Sequence, residues 1–161
     1  MSVTSVDKDL DHLTLTLVAD FGAPVEQVWQ LWADPRQLER WWGPPSYPAT
    51  VEEHDLTPGG EVRYFMTGPE GEKYRGWWRV TTVTPPELLQ FTDGFADEDG
   101  KPADSMPTMS VRVRLTAHEG GTRMEMRSAF DSREQMDQLM TMGMEEGLQQ
   151  AVAQIDALLP A

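Results

Sequence analysis

The segment from Ser132 to Leu159 constrains the fold more than any other part of this chain. Apolar or small residues recur there at Met136, Leu139, Met140, Gly143, Met144, Gly147, Leu148, Ala151, Val152, Ile155, Leu158 and Leu159. That three-and-four spacing puts them on one helical face. Ser132 stands three residues before Gln135, the arrangement in which a hydroxyl caps a free backbone N–H while the amide reaches back. The other face carries Glu134, Asp137, Glu145, Glu146, Gln149, Gln150 and Asp156. The segment therefore reads as one long amphipathic helix. Within its apolar face Gly143, Gly147 and Ala151 follow at four-residue intervals, although an interior glycine costs roughly 1 kcal/mol relative to alanine. Such a line either admits a closely packed neighbour or keeps space for something that is not protein.

A helix of this length needs an apolar surface to cover, and the residues before it supply strands. From His12 to Ala19, Leu13, Leu15 and Leu17 alternate with Thr14, Thr16 and Val18, the period of a half-buried strand. Pro24 then opens a short helix through Val25, Val28, Trp29, Leu31 and Trp32, and Asp34-Pro35 opens a second through Leu38 and Trp41. From Pro48 onward strand-like runs alternate with turns: Ala49 to Leu56, the run containing Val62, Tyr64 and Met66, the run from Tyr74 to Thr81, Leu88 to Thr92, Met109 to Leu115, and a last one holding Met124 and Met126. The polar stretch Asp93 to Pro107 reads as a loop, its acidic part up to Asp104 as a candidate lid. The expected fold class is α+β: a curved antiparallel sheet of six to seven strands, with two short helices after strand one, wrapped around the C-terminal helix. One domain is expected over 1–161, with a core at about 13–159 and residues 1–10 as a flexible N-terminus.

Charge and composition remove several functional classes. Lys and Arg number 13 against 27 Asp and Glu, for a formal net charge of −14. A surface of that sign repels phosphate backbones and anionic lipid, so neither nucleic acid nor membrane is an expected partner. There is no cysteine, which excludes disulfides and thiol chemistry. The N-terminal residues lack the basic and apolar regions of a signal peptide, and no apolar run is long enough to span a bilayer, so a cytoplasmic location is expected.

Several motifs carry a resemblance. Phe21-Gly-Ala-Pro-Val25 leading to Val28-Trp29, Trp41-Trp42-Gly43-Pro44, Asp55-Leu-Thr-Pro-Gly-Gly60, Gly76 through Val80 before Pro86-Glu-Leu88, and Gly147 in the last helix resemble the START-like, helix-grip (SRPBCC) superfamily. More closely they resemble its branch of activator of heat-shock-protein-90 ATPase homologues. The resemblance spans about Leu13 to Leu159 and implies the helix-grip fold. It implies three functional classes: a carrier of an apolar ligand, a protein-interaction module with a chaperone-like partner, and a polyketide cyclase or hydrolase-like enzyme. Members often carry Trp directly after the helix glycine, where this chain has Leu148, a smaller side chain that would enlarge a cavity.

The residues themselves favour binding over catalysis. The three histidines, His12, His54 and His118, are scattered without metal-ligand spacing, and no nucleophile elbow, P-loop or dinucleotide fingerprint occurs, so no metal, cofactor or catalytic residue is assigned. The methionines instead fall on inward positions of strands and helix, and their flexible thioethers suit a surface that repacks around apolar partners. The expected cavity lining is Trp42, Tyr64, Met66, Trp78, Phe91, Met109, Met126, Met140, Met144 and Gly147, with the Tyr64 hydroxyl as polar anchor. The arginines at 63, 75, 79, 112, 114, 123 and 127 alternate outward. On this reading the chain encloses a small, mainly apolar ligand, as a monomer or a homodimer.

Overall fold

The computed structural model describes residues 3–103 and 105–159. Eight strands, β1 (Val3–Asp9), β2 (Thr14–Phe21), β3 (Ala49–His54), β4 (Glu61–Thr67), β5 (Lys73–Thr84), β6 (Leu88–Phe95), β7 (Met109–His118) and β8 (Gly121–Phe130), form one sheet. Their order is β1-β2-β8-β7-β6-β5-β4-β3, and every neighbouring pair is antiparallel. Two helices, α1 (Val25–Ala33) and α2 (Pro35–Leu38), connect β2 to β3, while α3 (Arg133–Thr141), α4 (Met144–Ala153) and a 3-10 turn (Gln154–Ala157) close the chain. The α+β class and the insertion of two short helices agree with the sequence reading. Among the described residues no helix is long and apolar enough to cross a membrane.

Alternation drives the sheet as expected. On β2, Leu15, Leu17, Ala19 and Phe21 are buried; on β7, Val111, Val113 and Leu115; on β8, Met124 and Met126. One buried cluster draws side chains from β2 through β8, from α1, and from Val152 and Ile155 at the C-terminal end. Eight strands spaced about 4.8 Å apart would span about 34 Å if flat, so a single cluster reached from all of them requires a sheet wrapped around its apolar face. The arginines lie on the other face, in ion pairs such as Arg75–Glu52 at 2.8 Å and Arg123–Asp20 at 2.8 Å.

The strand count is eight rather than six or seven, and the extra strand is β1. The N-terminal residues were expected to be flexible, but Val3–Asp9 pairs with β2 as an edge strand, so the two short helices follow the second strand. Only Val3, Val6 and Asp9 on β1 are even half-buried. Backbone hydrogen bonds hold this strand, and its charged residues blunt the exposed edge, so no apolar alternation announces it.

The single long helix expected from Ser132 is also corrected. The Ser132 hydroxyl caps α3 as predicted, accepting from the Gln135 N–H at 3.1 Å. The helix ends at Met142, and Gly143 takes φ +89°, the left-handed conformation that glycine adopts without a Cβ penalty. Gly143 then accepts the first bond of α4, from the Gly147 N–H at 2.9 Å. Breaking here lets the two halves pack differently. Met136 and Leu139 of α3 join Leu15 and Phe130 in a second, smaller cluster, whereas Val152 and Ile155 enter the main core. Gln154 ties the C-terminal end down, its side-chain amide donating to the carbonyls of Gly43 at 2.7 Å and Trp41 at 3.3 Å.

Candidate functional site

The joint between α3 and α4 roofs a cavity of about 270 Å³. Its walls are Trp42, Pro44, Tyr64, Met66, Asp93, Phe95, Met109, Val111, Met126 and Ser128 from the sheet side, and Leu139, Met142, Gly143, Met144, Gly147 and Leu148 from the helices. Both glycines look onto open space: a Cβ built at Gly143 or Gly147 would meet nothing within 4 Å. The two explanations for a line of small residues are thereby separated, because no element packs against these positions. Met142, 53% exposed, stands at the rim.

Of the ten residues expected to line a cavity, Trp42, Tyr64, Met66, Met109, Met126, Met144 and Gly147 come together around this one. Trp78 and Phe91 lie beneath it, fully buried and stacked on each other with centroids 3.9 Å apart. Trp42 meets Trp78 edge-on at 4.9 Å, so these two rings form the floor under the wall rather than the wall itself. Met140 packs into the smaller cluster beside Met136 and Leu139. Met144 packs against the same cluster but also lines the cavity.

The titratable lining residue missing from the expected set is Asp93. It is buried at 7% exposure on β6, facing inward with Leu89 and Phe91, and its carboxylate Oδ1 accepts a hydrogen bond from the Tyr64 hydroxyl at 2.9 Å. Its signal was the alternation Leu89, Phe91, Asp93, hidden by Asp93-Gly94, which reads as the start of a turn. Strand pairing overrides that local preference, since Gly94 pairs with Trp77 and a Cβ there would strike the Trp77 ring.

Tyr64 and Asp93 lie on strands that do not touch. Tyr64 is on β4 opposite Gly76 of β5, and Asp93 is on β6 opposite Trp78 of β5. The phenol ring crosses over β5 at Gly76, where any Cβ would collide with its Cζ and hydroxyl oxygen. A glycine inside the aromatic run Tyr74-Arg75-Gly76-Trp77-Trp78 thus exists for close approach, and it allows the Tyr64 hydroxyl to reach the next strand.

Burial sets the electrostatics of the pair. Desolvation pushes the Asp93 carboxyl from its ordinary 3.8 up to about 7, although bonds from the Tyr64 hydroxyl and the Gly94 backbone pull it part of the way back. Tyr64 is held well above its usual value by burial and by the neighbouring Asp93 charge. The Trp42 indole N–H, buried without a hydrogen-bond partner of its own, lies near enough to the Tyr64 oxygen to offset a little of that rise. A carboxyl group poised near neutrality in an apolar site can donate or accept a proton, or hold a cation. The sequence assigned no catalytic residue, and the structure places an inward acid, Asp93, in the cavity wall.

The stretch expected to be a loop from Asp93 begins later: Asp93 to Phe95 complete β6, and the polar loop beyond them lies away from the cavity. Its Asp97 and Glu98 border a larger depression of about 670 Å³, together with Lys73, Tyr74, Arg75, Phe95, Ala96 and Met106. None of the residues from Ala96 to Ala103 touches the cavity, and Asp104 lies outside the described residues. The depression is edged by charged side chains, whereas the cavity is lined mainly by apolar ones, so the cavity is the candidate site. The histidines are engaged separately: the half-buried His54 Nε2 lies 3.0 Å from the Trp32 carbonyl and His12 Nδ1 lies 2.8 Å from Asp9.

Comparison with known proteins places this architecture. The family described as Activator of Hsp90 ATPase homolog 1-like protein matches residues 22–160. Among solved structures, protein Ms6760 from Mycobacterium smegmatis is 54% identical, with 99% of this chain and 98% of that one covered and a TM-score of 0.91. A protein from Arthrobacter aurescens, solved by NMR, is 53% identical over 99% of this chain and 94% of that one, with a TM-score of 0.95. The AHSA1 protein from Silicibacter pomeroyi is more distant, at 25% identity, coverage of 89% and 95%, and a TM-score of 0.71. No curated protein matches the chain.

Proposed function

Since this chain belongs to the Activator of Hsp90 ATPase homolog 1-like family, we propose that it uses the family's sheet-and-helix frame to hold a small, mainly apolar ligand in the cavity between the sheet and the C-terminal helices. The observation that carries this reading is the unfilled space beside Gly143 and Gly147, at the joint of the two terminal helices. A chain selected only for packing would fill that space, because voids forfeit dispersion contacts on every wall. The thioethers of Met66, Met109, Met126 and Met144 give walls that adapt to a guest. At about 270 Å³ the cavity suits a compact molecule rather than a long acyl chain, as drug-sized sites typically start near 300 Å³.

Native mass spectrometry of freshly purified protein tests this directly, and the expected spectrum contains a bound small molecule. A thermal-shift screen gives the quantitative counterpart. A ligand about a hundredfold above its dissociation constant stabilises the native state by about 2.7 kcal/mol, or roughly 8 °C for a chain of this length. No adduct, and no shift with any apolar compound class, would sink the reading.

The family description and the outer depression support a second reading, a chaperone-type protein contact. Tyr74, 54% exposed, lies tilted against Tyr47 with ring centroids 5.8 Å apart, and Lys73 sits 4.6 Å from the Phe65 ring, an aromatic patch edged by charges of both signs. Stimulation of the host chaperone's ATPase that is lost with Tyr74→Ala would support this reading, and no effect of the wild-type protein would remove it.

A further inference from the structure

The cavity carries one acid and no base. Among the described residues that line it there is no Lys, Arg or His, and the titratable groups are Asp93 and Tyr64 alone. The nearest arginines of β4 and β5 belong to the opposite face, where Arg63 pairs with Glu53 at 3.3 Å and Arg75 with Glu52 at 2.8 Å. Asp93 therefore has no internal counter-ion.

Its hydrogen bonds leave room for one. A carboxylate offers about four acceptor positions, and the Tyr64 hydroxyl occupies one of them. The Tyr64 O–H points its positive end at the carboxylate, a dipole that favours an anion at Asp93, and Trp42 lines the cavity beside it. The same two side chains present aromatic rings to the cavity, with centroids 6.0 Å apart in an edge-on arrangement, and such ring faces attract cations. The formal charge of −14 adds a field that concentrates cations and repels anions.

We propose that the ligand is an organic cation: a small molecule with a protonated amine, which pairs with Asp93 beside Trp42 and Tyr64, and an apolar or aromatic body lying among the methionines. A primary ammonium brings three donors to the open acceptor positions. A neutral hydroxyl would satisfy one position without neutralising the charge, and an anionic ligand would meet Asp93 with nothing to offset the repulsion. This inference rests on the cavity-binding reading and adds the ligand's chemical class to it.

The test uses the intact protein and three probes of matched shape: phenethylamine, phenethyl alcohol and phenylpropionate, each titrated by calorimetry or NMR at about pH 8, where both partners are ionised. The amine should bind about tenfold to a hundredfold more tightly than the alcohol, the usual range for a charged hydrogen bond in a buried site. The acid should bind most weakly. In the wild-type protein the amine's advantage should shrink as the pH falls through the Asp93 titration, with Tyr64 as the only other titratable group facing it among the lining residues. Asp93→Asn should bring amine and alcohol to within about threefold of each other while alcohol binding persists. Equal binding of amine and alcohol by the wild type would overturn the amine assignment and leave the cavity reading standing. Binding of none of the three, with no shift in the apolar screen, would overturn both.

Discussion

Relative to the wild type, replacing Asp93 by Asn should make the protein progressively more stable as pH rises from about 4 to about 8. Burial raises this carboxyl from 3.8 to about 7 in the folded chain, whereas in the unfolded chain it titrates near its ordinary value. Between those two values the native state binds the extra proton, so the wild type loses stability as pH rises through the folded pKa and is flat above it. About three units, each worth about 1.4 kcal/mol, amount to about 4 kcal/mol between about pH 4 and pH 8. For a chain of this length that is a difference of about 12 °C in melting midpoint. Asparagine keeps the shape and an acceptor for the Tyr64 hydroxyl but cannot ionise, so this contribution disappears from its pH profile. Burying the asparagine amide adds a penalty of its own, which is the same at every pH and shifts the curve without tilting it. The assay is thermal or urea unfolding of both proteins at several pH values, read as the difference between their curves, in which titrations common to both cancel. Parallel curves would refute the reasoning, since they would mean that water in the cavity solvates the carboxylate as well as bulk solvent does.

Other perturbations separate residues that look alike in the sequence. Gly147→Ala, placed in open space on a helix, should stabilise by up to about 1 kcal/mol, while Gly143→Ala, forced to φ +89°, should destabilise by about 1–2 kcal/mol; urea denaturation of the pair compares them. Gly147→Leu should preserve folding but occupy the cavity, so a ligand-induced thermal shift seen in the wild type should vanish. Tyr64→Phe removes a hydrogen bond that lowers the Asp93 pKa, so the Asp93 carboxyl should titrate above about 7, followed by NMR of its side-chain carbon. Trp78→Ala, deleting a fully buried ring from the cavity floor, should cost about 3–5 kcal/mol in the same unfolding assay.

Much of the fold was legible because it depends on period. The alternation of Leu15 and Leu17, of Val111, Val113 and Leu115, and of Tyr64 with its neighbours marks strands whose inner faces are buried. The caps at Ser132 and Asp34 are local chemistry, and both form, Asp34 accepting from the Arg36 N–H at 2.9 Å. Where packing does not hold an element in place, the pattern is silent. β1 is secured by its backbone pairing to β2, so its sequence of Val, Thr, Ser, Asp and Lys looks like an unstructured lead-in. Part of the cavity lining was likewise visible as inward methionines and aromatics, but which of them reach the space was not. That depends on the path of the two helices around Gly143, where Met144 lines the cavity and Met140 does not.

By itself, then, the sequence determined an antiparallel sheet with one apolar face, a helical cover at the C-terminus and a strongly acidic surface, because each follows from residue period, capping and charge. Only the tertiary structure decided where the site's polar centre lies. Tyr64 and Asp93 are 29 positions apart on strands separated by a third. Their meeting depends on Gly76 lending its empty space to the phenol ring and on Gly94 continuing a strand where its dipeptide would favour a turn. The desolvation that brings Asp93 close to neutrality comes from the surrounding shell of side chains, and no local window of sequence contains that shell.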